Sequence, residues 1–150
     1  MAVHGISRST RDLDVLIVAP EALDPATWTP LSRQGAAAVD VRRGSGDDPL
    51  AGVVRITARG EPSVDVVVGK STWQARILER GTEAIVDGER VPVARAADLI
   101  LLKLYAGGAQ DAWDIAQLLQ GGDRSALVAE VDGALPALPP EARRLWDRVR

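Results

Sequence analysis

An α+β fold is predicted from two features of the chain. Short β-branched runs joined by tight turns fill its first two-thirds, and helical spacing dominates its last third. Hairpin turns pair neighbouring strands antiparallel, so a mixed or antiparallel sheet is expected, with helices packed on it and a helical part at the C-terminal end. At 150 residues the chain can bury a core of its own, and without cysteine it has no disulfides. The expected organisation is a sheet core over 1–93 and a helical segment of the same domain over 94–150.

The elements follow in order. Asp12 to Val18 reads as a strand entered through an arginine-bearing loop, ended by Pro20, with Val15-Leu16-Ile17-Val18 looking fully buried. Asp24 to Ala38 has an Asp-Pro start and weak helical spacing, which predicts a helix or irregular turns. Val39 to Arg43 is a short strand, and Gly44 to Pro49 (GSGDDP) is its loop. Val53 to Ala58 and Val64 to Val68 form an antiparallel hairpin about Gly60-Glu61-Pro62-Ser63.

Gly69 to Thr72 (GKST) has the ending of a phosphate-binding P-loop. That motif needs an earlier glycine where this chain has Val64, so Ser71 or Thr72 is expected to cap a helix instead. Thr82 to Val86 and Arg90 to Val93 form a second hairpin about Asp87-Gly88. Arg95 to Ala106 is a helix closed by Gly107-Gly108, and Asp111 is placed to cap another over Ala112 to Gln120, with Asp114 in its first turn. Helices about Arg124 to Val131 and Pro140 to Val149 look peripheral.

Net charge is −3, which gives no global signal for nucleic acid or a membrane surface. No apolar run approaches the roughly 20 residues that cross a bilayer, and Met1 to Arg11 is too polar for a signal peptide. A cytoplasmic protein is expected. The one histidine, His4, excludes any site built on two and reads as structural.

The chemistry lies in the carboxylates. Asp12 and Asp14 share one face of a strand, roughly 6.5 to 7 Å apart at the backbone, with Leu13 pointing to the core. Two carboxylates on one face repel, and a hard divalent cation such as magnesium removes the repulsion. Asp65, inside the apolar run Val64 to Val68 (VDVVV), is costly unless something binds it. A strand carrying it alongside would complete a site for two ions about 3.5 to 4 Å apart. On the Asp-x-Asp pattern alone a solvated acidic pair is the commoner outcome. Arg8 and Thr10 just ahead, Asp65 downstream and Lys103 among leucines shift the balance to a site.

The stretch His4 to Val18 (HGISRSTRDLDVLIV) resembles the G-x-x-R-x-T-x-D-x-D segment of nucleotidyltransferases with the DNA polymerase β fold. More narrowly it is similar to the AbiEii-type bacterial group, many of them toxins of toxin–antitoxin pairs. VDVVV resembles that family's third-carboxylate strand, and Val91 to Leu119 resembles a later segment with a lysine and an aspartate that opens the next helix. The match spans about Ala2 to Leu119.

The resemblance implies a role for each residue. Asp12, Asp14 and Asp65 would hold two Mg2+ ions, and Asp65 would also help deprotonate the acceptor hydroxyl. Lys103 would reach the nucleotide triphosphate, although a lysine snorkelling from an amphipathic helix fits its context equally. Arg8 would orient the aspartates or meet phosphate, with a structural salt bridge as the alternative. Asp111 would position Lys103 or simply cap its helix, and Thr10 would hydrogen-bond a turn. The family's phosphate-holding Gly-Gly turn, ahead of the position of Gly5, is missing, so a shortened protein or a start assigned downstream of the true one is expected.

The implied activity moves a nucleoside monophosphate from an NTP to a hydroxyl of tRNA, other RNA or protein, with a cognate antitoxin as a further partner. One alternative is a non-catalytic, truncated protein of the same fold acting as a binding or regulatory partner. A small-molecule, antibiotic-modifying nucleotidyltransferase ranks last, because the chain offers no recognisable acidic pocket for a cationic drug.

Overall fold

The computed structural model describes residues 13–33, 37–46, 48–86 and 88–150. It is α+β, with a four-stranded mixed sheet, a separate two-stranded hairpin and six α-helices. The described residues divide into two compact units, 13–78 and 79–150.

The first unit is the sheet, built from β1 (Leu13–Ile17), β2 (Ala38–Arg43), β3 (Gly52–Thr57) and β4 (Val64–Val68). Its order is β1-β4-β3-β2, with β1 parallel to β4 and the other pairs antiparallel. Period-two alternation sends Val54, Val66 and Val68 to one face. There they pack with Ala22 and Leu23, flanked by Ile17, Trp28, Val39, Val41 and Ile56. Full burial of each valine side chain contributes about 1.5–3 kcal/mol.

Between β1 and β2 the chain makes two 3-10 turns, Pro20–Leu23 and Pro25–Trp28, and a short helix α1 (Thr29–Arg33), which is the irregular outcome foreseen for this stretch. Asp24 caps the second turn through the Ala26 N–H (2.9 Å), and the Trp28 indole donates to the Ala22 carbonyl (2.7 Å).

Strand β1 differs from its expectation of full burial. Among the described residues it pairs only with β4 and lies at the edge of the sheet, with Leu13 53 % and Val15 37 % exposed. Leu13 therefore does not sit in the core. An apolar run in sequence cannot say which side of a strand finds a neighbour.

After β4 the GKST stretch leads into helix α2 (Thr72–Glu79). Its entry is closed by Gln74, whose Oε1 accepts the N–H groups of Lys70 (2.9 Å) and Ser71 (3.0 Å). A side chain on Gly69 would meet that oxygen at 2.8 Å, which accounts for a glycine here. The Lys70 and Ser71 N–H groups are thus taken up by a side chain of the helix itself.

The second unit holds the hairpin β5 (Thr82–Val86) and β6 (Glu89–Val93), then α3 (Ala96–Ala106), α4 (Ala109–Gln120), α5 (Arg124–Ala134) and α6 (Pro140–Val149). Helix α3 packs against all three later helices and buries Ile100, Leu101 and Leu104. It ends on Gly107 in the left-handed region (φ 71°), a conformation that costs other residues about 1–2 kcal/mol.

The last two helices are not peripheral. Val131 and Trp146 are fully buried, Ala142 and Leu145 nearly so, and the Trp146 indole donates to Asp132 (2.6 Å). The spacing of Ala142, Leu145 and Trp146 puts them on one stripe of α6, which its arginines obscure in a plain reading. Among the described residues no helix is long and apolar enough to cross a membrane.

Candidate active site

In the sheet, Asp14 and Asp65 are register partners on adjacent parallel strands, and Arg55 and Asp40 continue the row across β3 and β2. Residues in register share a face, so all four project from the side opposite the apolar core. Neighbouring strands lie about 4.8 Å apart, which brings two carboxylates from distant parts of the sequence side by side.

Asp65 has a cationic partner. Arg55 donates from Nε to Oδ1 (2.7 Å) and from Nη2 to Oδ2 (2.5 Å), a fork on both carboxylate oxygens. The Asp65 side chain is 15 % exposed and Arg55 about half exposed. These hydrogen bonds, helped by the nearby charges of Arg55 and Arg42, hold the Asp65 carboxyl below the usual carboxylate range. At neutral pH Asp65 is therefore firmly ionised, which suits a cation ligand.

Beside Asp65 the same face opens into a concavity of about 420 Å³, lined among others by Asp40, Arg42, Arg43, Asp48 and Arg55. Arg42 pairs with Asp40 (2.8 Å), whereas Arg43 donates to the Leu23 carbonyl (2.7 Å) and the Lys70 ammonium to the Gly46 carbonyl (2.9 Å). Asp48 accepts from the Ser45 backbone, and its carboxyl is lowered chiefly by that bond.

The other predicted residues form a second group, within the 79–150 unit. The Lys103 ammonium lies 2.5 Å from Asp114 and 3.3 Å from Asp111. Asp114 is fully buried and also accepts a long hydrogen bond from Gln110 (3.4 Å). Asp111 does not open its helix. Gly107 and Gly108 already turn the chain, α4 starts at Ala109, and Asp111 reaches back from the third position to the Gly108 N–H (3.0 Å). Asp111 thus contacts Lys103 and closes the helix start from the third position, not from the N-cap position expected of it, while Asp114 is the closer partner of Lys103.

Asp12, Arg8 and Thr10 lie outside the described residues. Among the described residues no group of three or more His, Cys, Asp or Glu side chains is placed to hold a metal ion. The described donors, Asp14 and Asp65, are hard oxygen ligands on one face and fit a magnesium-type ion in chemistry.

Two participants escaped the sequence reading. Arg55 was legible in principle, because the hairpin turn sets the register that puts it opposite Asp65. Asp114 had a signal in Lys103 itself, since a lysine among leucines requires an anion from a packed neighbour. No family model matches the chain, and none of the curated proteins matches it.

Proposed function

We propose that the protein is a metal-dependent nucleotidyltransferase with a polymerase-β-like sheet, transferring a nucleoside monophosphate from an NTP to a hydroxyl of RNA or protein. The observation that carries this is the Asp14 and Asp65 register on adjacent parallel strands. It is the juxtaposition that the family resemblance requires of a residue from the first motif and one from the third-carboxylate strand. Asp12, two positions before Asp14, belongs to the same proposed ligand set.

In the transfer, the acceptor oxygen bonds to the α-phosphorus, the bond from that phosphorus to the bridging oxygen breaks, and pyrophosphate leaves with the electron pair. The acceptor's proton passes to solvent or to a carboxylate. Magnesium, when bound, supplies charge stabilisation for the attacking and leaving oxygens. Asp14 and Asp65 would hold it, and ionised Asp65 needs no proton release to do so. Lys103 is a second proposed contact, to the triphosphate. Its Asp114 and Asp111 partners fix its direction.

One observation favours a second reading. The Arg55 fork satisfies Asp65 without any metal, as a purely structural pair would in a non-catalytic protein of this fold acting as a regulatory partner. The two readings separate by experiment. Incubation with NTPs labelled at the α-phosphate, magnesium and total RNA or cell lysate should label a macromolecule, and Asp14→Asn should abolish the label. Labelling that is absent, or undiminished in that variant, overturns the enzyme.

A further inference from the structure

On the proposed reading of Asp14 and Asp65 as a cation site, the acceptor hydroxyl must stand beside that cation. The concavity of about 420 Å³ that Asp65 lines is the space open to the group carrying it. Among the described lining residues the carboxylates of Asp40, Asp48 and Asp65 equal in number the guanidinium groups of Arg42, Arg43 and Arg55. Each of these groups is also engaged locally: Arg42 with Asp40, Arg55 with Asp65, Arg43 with the Leu23 carbonyl and Asp48 with the Ser45 backbone. The concavity therefore offers no surplus positive charge.

An RNA end makes two demands on such a space. Its phosphates need cations to spare, and its unpaired bases are held by stacking on aromatic rings or guanidinium planes. None of the described lining residues is aromatic, and the arginines are engaged. A protein segment makes neither demand. Pro49, Leu50 and Val53 give the lining an apolar part beside its balanced charges, which suits a chain of mixed side chains without strong net charge. Asp40 and Arg42 belong to β2, the last strand of the sheet among the described residues, and an extended segment can lie along that edge.

We infer that the acceptor is a protein, whose serine, threonine or tyrosine hydroxyl enters this concavity, and not RNA. The inference rests on the nucleotidyltransferase reading and narrows its substrate. The side-chain oxygen bonds to the α-phosphorus, pyrophosphate leaves with the electron pair, the hydroxyl proton passes to solvent, and a phosphodiester joins the nucleoside to the protein.

The test uses the full chain with magnesium and NTPs labelled at the α-phosphate, offered in parallel to cell protein freed of nucleic acid and to total RNA freed of protein. Label is expected in the protein fraction alone, stable to ribonuclease and released by protease. Mass spectrometry should place the added nucleoside monophosphate on a serine, threonine or tyrosine. Val53→Trp fills the concavity and Leu50→Arg puts a long charged side chain into it. Each should lower protein labelling about tenfold or more, while magnesium still raises the melting temperature as in the parent. Circular dichroism monitors folding, and Leu50→Arg carries the test if Val53→Trp does not fold.

Any label on RNA, or protein label undiminished in either folded variant, overturns the inference and leaves the nucleotidyltransferase standing. Label in neither fraction overturns both.

Discussion

Lys103 shows how one residue carries two demands. Its ammonium neutralises Asp114, which is fully buried, and it is itself only 15 % exposed. Breaking such a pair from one side strands a charge, so Lys103→Ala should cost about 3 kcal/mol in urea unfolding, and adding Asp114→Ala should recover part of that loss. Asp65 makes a different prediction. Its folded carboxyl is depressed by Arg55, so the stability it contributes is complete above the unfolded carboxylate value and is lost as pH falls through the lower folded one. The stability gap between the parent and Arg55→Gln should therefore persist from pH 7 to about pH 5 and close towards pH 2. The carboxylates were legible because an aspartate in an apolar run is conspicuous by its cost. Their partners were not, because Arg55 lies in another strand and Asp114 in another helix, and only register and packing bring them in.

At the scale of elements, alternation and turn chemistry located the strands within a residue or two, since each is short and punctuated by glycine, proline or aspartate. Strand order is a different matter. Nothing in the run Leu13 to Ile17 tells an edge strand from a central one, and β1 proved to have one described partner. The start of α4 moved for a local reason: a glycine pair needs no further residues to turn the chain, so the helix begins at once and Asp111 works from inside it. Asp111→Ala should cost about 1 kcal/mol through the lost cap, with a further loss if its contact to Lys103 matters, and thermal melts of Asp111→Ala and Asp111→Asn separate the two. The asparagine keeps a cap acceptor but not the charge.

For the whole molecule, the α+β class was legible and the internal weight of the C-terminal helices was not. Trp146 is fully buried on α6, and Trp146→Ala should cost about 3–5 kcal/mol in a denaturant titration, where a peripheral helix would tolerate it. The proposed function places the chemistry on the polar face of the sheet, with Asp14 and Asp65 side by side. The most direct measurement is thermal unfolding with and without magnesium for the parent, Asp14→Asn and Asp65→Asn. Binding to the folded state alone stabilises by about 1.4 kcal/mol at tenfold excess over Kd. The parent's Tm should thus rise by roughly 3–5 °C, and neither variant's should rise. A parent that magnesium does not stabilise, or variants stabilised as much as the parent, would contradict a cation site at these two aspartates.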